Sequence, residues 1–104
     1  MVEISASVLG LKETNAIKQL YDLEVSGIDY FHIDVMDGEF VKNNTVDRMV
    51  EYCEYLNSIS LLPLDVHLMV KDIKKFVNKF IVFEPNNITF HLEACKQKKG
   101  KQYE

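Results

Sequence analysis

The stretch Tyr30–Gly38, YFHIDVMDG, decides the architecture. Ile33 and Val35 alternate with His32, Asp34 and Met36, so an extended segment would present one apolar and one polar face. Asp37-Gly38 then supplies the residues of a tight turn. The same two-faced pattern returns along the chain. Leu64–Val70 sets Val66, Leu68 and Val70 against Asp65, His67 and Met69, and Asn87–Leu92 sets Ile88 and Phe90 against Thr89 and His91, with Glu93 continuing the polar series. Upstream, Ile4–Leu9 sets Ile4, Ala6 and Val8 against Ser5 and Ser7.

Helical periodicity fills the intervals between these strands. Glu13–Ser26 reads as a helix with Ile17, Leu20 and Tyr21 on one face, stopped by Gly27. A second helix starts near Asn44-Thr45 and carries Val46, Met49, Val50, Cys53 and Leu56. Asp72 can cap a third, whose Ile73, Phe76, Val77, Phe80 and Ile81 share one stripe. Strands alternating with helices pair in parallel, which gives an α/β fold. An open doubly wound sheet is covered on both faces and apolar on both, so four strands with one polar face each read as the wall of a (β/α)8 barrel of the TIM type. A whole barrel needs about 250 residues. The sequence therefore reads as about four β/α units, a half-barrel spanning residues 1–95, followed by a polar Lys-rich tail over residues 96–104.

Composition agrees with a globular domain: 47% of the 104 residues are hydrophobic and 27% charged, which excludes a disordered or low-complexity chain. No run approaches the roughly 20 apolar residues of a membrane span. MVEISASVLG has neither the basic segment nor the apolar core of a secretory signal, so a cytoplasmic location is expected. The net charge of −4 argues against nucleic acid as a partner. Cys53 and Cys95 form no CxxC pair and read as reduced packing residues.

His32, His67 and His91 are all the histidines of the chain, and each falls on a polar strand face near the carboxyl end, where barrels of this type build their sites. With Asp34 beside them they read either as ligands for a divalent transition metal or as hydrogen-bonded core histidines. Asp34, Asp65 and Glu93 are further candidates for proton exchange, whereas Asp37 fits a turn former better. Met36 and Met69 follow Asp34 and His67 on the same faces, as apolar covers over a flat intermediate or as core filler.

SASVL, YFHIDVMDGEFVKN, LPLDVHLMV and ITFHLEA, in this order from about Ile4 to Ala94, resemble the ribulose-phosphate 3-epimerases. That resemblance implies interconversion of D-ribulose 5-phosphate and D-xylulose 5-phosphate, a step of the pentose phosphate pathway, with a divalent ion (Zn, Fe, Mn or Co). It assigns His32, Asp34 and His67 to the metal, Asp34 to acid/base catalysis, and Ser7, His67, Met36 and Met69 to substrate contact. A proton α to a ketone is weakly acidic, so such an enzyme needs an electrophile for the developing enediolate and one carboxylate on each face of its plane.

The sequence also departs from the family. The second catalytic aspartate and the phosphate-binding loops belong to the later half of the family's barrel. Glu39-Phe40-Val41-Lys42-Asn43 replaces the usual HFVPN, and Gly10-Leu11-Lys12-Glu13 replaces the SADF-like run. Two other functions share the motifs: a D-allulose 6-phosphate 3-epimerase, and a non-catalytic fragment that binds metal or associates with itself. An isolated half-barrel leaves two strand edges open, so a homo-oligomer is expected.

Overall fold

Seven principal elements alternate along the chain in the computed structural model, which describes residues 2–11 and 13–93. They are β1 (Ser5–Ser7), α1 (Ala16–Val25), β2 (Tyr30–Met36), α2 (Val46–Ile59), β3 (Leu64–Met69), α3 (Ile73–Phe80) and β4 (Asn87–Phe90). Short 3-10 turns precede α1 (Glu13–Asn15) and follow α3 (Ile81–Phe83). The strands form one sheet in the order β1-β2-β3-β4, and every neighbouring pair is parallel. A doubly wound sheet reverses its strand order partway across, whereas here each strand lies beside its predecessor. Sequential parallel order with one polar face is half of a TIM-type barrel.

The alternation read from the sequence separates the two faces of the sheet. Phe31, Ile33 and Val35 of β2 and Val66 and Leu68 of β3 are all fully buried beneath the helices, where they meet Leu20, Met49, Cys53, Leu56, Phe76 and Phe80. Burying each large apolar side chain contributes roughly 1.5–3 kcal/mol, and this layer fixes the register, because a one-residue slip would exchange the faces. Ile33 pairs with Val66 and Asp34 with His67, so the polar residues also lie side by side on the opposite face.

Helix ends follow local chemistry. Gly27 takes φ +93 and its N–H bonds the Glu24 carbonyl, which stops α1 as expected. Asp72 accepts from the Lys75 N–H at 3.2 Å and caps α3. At the start of α2 the side-chain acceptor is Asn44, whose Oδ1 takes the Val46 N–H, and not the Thr45 hydroxyl.

Several expectations need correction. Ile17 and Tyr21 of α1 are 59% and 60% exposed, while Ala16 and Leu20 point inward. The helix contacts the sheet through a narrower arc than a stripe containing all three residues would need. β1 is shorter than Ile4–Leu9, with Ile4 itself 54% exposed, and β4 stops at Phe90, so His91 lies just beyond the strand and not within it. Both are edge strands, and each has one neighbour to hold it among the described residues. Cys53 is free and buried. Cys95 and the Lys-rich tail lie outside the described residues, as does the boundary drawn at residue 95. No helix among those described is long and apolar enough to cross a membrane.

Candidate active site

Asp34 occupies the centre of the polar face, where β2 passes between β1 and β3. Its side chain is 13% exposed and has three neighbours. Oδ1 lies 3.0 Å from His32 Nε2 and 3.1 Å from His67 Nδ1. Oδ2 accepts the Ser7 hydroxyl at 3.2 Å. Parallel register explains the gathering: His67 is the direct partner of Asp34 across β2 and β3, Ser7 is the partner of His32 across β1 and β2, and His32 precedes Asp34 by one same-face step.

The chain extends in both directions from this centre. His32 Nδ1 lies 3.3 Å from Asp65 Oδ2, an arrangement in which a carboxylate fixes the imidazole tautomer. A proton on Nδ1 leaves Nε2 as a lone-pair donor facing Asp34 Oδ1, so two electron-rich atoms sit 3.0 Å apart and call for a proton or cation between them. On the other flank His67 Nε2 lies 2.9 Å from His91 Nε2, and His91 Nδ1 is 3.9 Å from Glu93 Oε1. One donor atom each from His32, Asp34 and His67 falls within 4.8 Å of the others. Two imidazoles and a carboxylate at that separation suit a divalent transition metal, leaving positions open for further ligands. The donor set fits the ion expected from the sequence.

Met36 and Met69 are direct register partners at the carboxyl ends of β2 and β3, one same-face step beyond Asp34 and His67. The structure therefore brings Ser7, His32, Asp34, Met36, His67 and Met69 onto one surface. Asp65 belongs there as an orienting group. Glu93 stands at its margin, well exposed.

Two residues that hold this surface were read differently or overlooked in the sequence. The buried Thr45 hydroxyl donates to the Asp34 carbonyl at 2.9 Å and accepts the Met36 N–H at 3.0 Å, tying the end of β2 to the start of α2. In the sequence it marked only the start of a helix. Asp37 is the turn former expected, and it also reaches across the sheet: Oδ1 takes the Glu39 and Phe40 N–H groups, and Oδ2 takes the Lys71 N–H at 2.9 Å. Burial pushes its carboxyl up, but the backbone donors of Lys71, Glu39 and Phe40 outweigh burial and hold it below its ordinary value. The loops after β2 and β3, which border the site, are thus locked together.

Residues 3–102 match the model of the ribulose-phosphate 3 epimerase family. The chain is 38% identical over 96 residues to the ribulose-phosphate 3-epimerase of Methanocaldococcus jannaschii, covering 92% of this chain and 39% of that relative. It is 34% identical over 95 residues to the corresponding Bacillus subtilis protein, covering 91% and 43%, and 36% identical over 90 residues to the chloroplastic ribulose-5-phosphate-3-epimerase of Arabidopsis thaliana, covering 86% and 31%. The 104 residues thus span well under half the length of the curated relatives they match.

Proposed function

The chain belongs to the ribulose-phosphate 3-epimerase family, and from that premise we propose that it carries the metal-binding and first proton-transfer half of a site that inverts C3 of D-ribulose 5-phosphate. The observation that supports this reading is the convergence of His32 Nε2 and His67 Nδ1 on one oxygen of Asp34. His32, Asp34 and His67 would hold a divalent ion, of the zinc, iron, manganese or cobalt kind. When bound, that ion supplies positive charge where negative charge develops on the sugar oxygens.

The protein's own residues do the rest. Asp34 removes the C3 proton from one face of the ketose and returns one during the reverse reaction. Ser7, within hydrogen-bond distance of Asp34 Oδ2, steadies the carboxylate and contacts the substrate. Asp65 holds the His32 ring. Met36 and Met69 flank the planar intermediate and exclude water from it. Inversion also needs an acid on the opposite face, a role that the family resemblance assigns to the later half of the barrel. The product is D-xylulose 5-phosphate, and the setting is sugar-phosphate metabolism in the cytoplasm.

The test is proton exchange at C3. Ribulose 5-phosphate in D2O is incubated with the chain and a divalent ion, and deuterium at C3 is followed by NMR. Exchange that stops with chelator and is lost in Asp34→Asn supports the reading. No exchange in the metal-loaded chain, or full exchange in Asp34→Asn, overturns it. Running D-allulose 6-phosphate in parallel assigns the sugar, since a faster reaction with that ketohexose phosphate would move the substrate to it.

A further inference from the structure

The start of α2 reaches Asp34 by two routes that begin one helical turn apart. Thr45, just before the helix, holds the main chain: its hydroxyl donates to the Asp34 carbonyl at 2.9 Å and accepts the Met36 N–H at 3.0 Å. Arg48, three residues on and therefore on the same side of the helix, holds the loop after β1. Its Nη2 donates to the Leu9 carbonyl at 3.4 Å. Leu9 N–H in turn donates to Ser7 Oγ at 3.3 Å, and the Ser7 hydroxyl donates to Asp34 Oδ2 at 3.2 Å. One route sets the backbone of Asp34 and the other its side chain.

Arg48 is the single arginine of the chain, and it is held at a cost. Its Nε is buried with no hydrogen-bond partner, a state that costs about 1–3 kcal/mol. Asp47 and Glu51 border the same open groove as Arg48 and Leu9. Among the described residues the guanidinium nevertheless pairs with neither carboxylate, and its partner is the Leu9 carbonyl. An arginine that passes over two acids for one main-chain oxygen adds little as a surface ion pair. What it fixes is Leu9, where the chain leaves β1.

Ser7 transmits that restraint. A hydroxyl has one hydrogen and two lone pairs, so with a lone pair taken by the Leu9 N–H the hydrogen is left for Asp34 Oδ2. The carboxylate torsion of an aspartate is broad and roughly two-fold, so hydrogen bonds and not a rotamer well determine which oxygen faces which neighbour. Ser7 on Oδ2 leaves Oδ1 to His32 Nε2 and His67 Nδ1. We propose that Arg48 is a positioning residue of the site, acting through Leu9 and Ser7 to keep Asp34 Oδ1 turned toward the two histidines. Arg48 itself touches neither ion nor sugar. The inference rests on the ligand role proposed for Asp34.

Cobalt titration of the 104-residue chain, followed by its visible absorption, tests it without reference to turnover. Arg48→Met keeps an apolar stem and removes every donor, the buried Nε included. Charge alone would make this variant bind cobalt more tightly, because a cation near a cation site is gone. Positioning predicts the opposite: affinity about tenfold weaker, the lower end of what losing an outer partner of a ligand costs, with an altered cobalt spectrum. Ser7→Ala should lose at least as much, and the double variant should be no weaker than Ser7→Ala alone, since both changes cut one route. Arg48→Lys, which keeps the charge and one donor, should fall between wild type and Arg48→Met, and it decides the matter if Arg48→Met does not fold. Binding by the Arg48 variants as tight as wild type or tighter, or additive losses in the double variant, overturns the inference. A wild-type chain that takes up no cobalt overturns the ligand role of Asp34 instead, and the Leu9 amide then decides. Its hydrogen exchange should quicken about two- to tenfold in the Arg48 variant and in Ser7→Ala, and an unchanged rate overturns the route through Leu9.

Discussion

Asp37 shows how one residue takes on two structural jobs and leaves a measurable trace in pH. Its two carboxylate oxygens accept three backbone N–H groups, two from its own turn and one from Lys71 on the loop after β3. Because the folded carboxyl titrates below its ordinary value, the stability it contributes is present above an unfolded pKa near 3.9 and is lost as pH falls through the folded value. Asp37→Asn keeps an acceptor for Glu39 and Phe40 but turns an amide donor toward the Lys71 N–H. We expect it to cost about 1–3 kcal/mol near neutral pH, with the gap from wild type closing below about pH 4. Urea titrations across that range check it, and a constant gap would remove the carboxylate from the account. Cys53 gives a second residue-scale test. Burial, with Glu54 adding, pushes its thiol up to about 12, so almost no thiolate exists near neutral pH. Peptide mapping after alkylation should find Cys53 unmodified in the folded chain and modified once the chain is unfolded. Modification at the rate of a free thiol in native buffer would contradict its burial.

At the scale of elements, the strand faces were legible because a period of two leaves little choice: His32, Asp34 and Met36 had to share a side, and parallel register put His67 beside them. β2 falls at Tyr30–Met36 as read. Helices were less determined. A stripe at i, i+3 and i+4 covers a wide arc, and α1 uses only the part containing Leu20, so Ile17 and Tyr21 were placed on the wrong side. Strand ends at the sheet edges were overextended, because Ile4 and Leu92 look apolar but have no layer to enter. Thr45 and the Asp37 to Lys71 bond were invisible for another reason: a hydroxyl or carboxylate before a helix or in a turn satisfies its local role in sequence, and its long-range partner appears only in three dimensions. α3 begins after the Asp72 cap as read and buries Phe76 and Phe80, whereas Ile81, placed on the same stripe, falls beyond the helix and is 52% exposed; the helix allows a graded test. Asp72→Ala removes the cap on the Lys75 N–H and should cost about 1 kcal/mol, whereas Phe80→Ala empties a fully buried position and should cost about 3–5 kcal/mol. Chemical denaturation of the two variants checks the order, and equal losses would mean that the helix end frays before its core is felt.

For the molecule as a whole, the site is a link between strands, so loading it should change global stability and not only local chemistry. His32 and Asp34 come from β2 and His67 from β3, and the fully buried Val66 and Leu68 lie on the reverse side of the same strand as His67. An ion bound by all three stabilises the folded chain by an amount set by its concentration over its dissociation constant, about 2.7 kcal/mol at a hundredfold excess, provided the unfolded chain binds weakly. For a domain of this size each kcal/mol moves the melting temperature by roughly 4–8 °C. Zinc or cobalt should therefore raise the melting temperature by about ten degrees or more, chelator should reverse the change, and the shift should saturate with concentration. His67→Ala and Asp34→Asn should each abolish most of that shift, while His91→Ala, which removes a neighbour of His67 outside the ligand set, should retain it. Calorimetry with and without ion makes the comparison independent of any turnover. If His91→Ala abolished the shift and His32→Ala preserved it, the ion would lie on the His67–His91 side, and Asp34 would be left to its proton-transfer role alone.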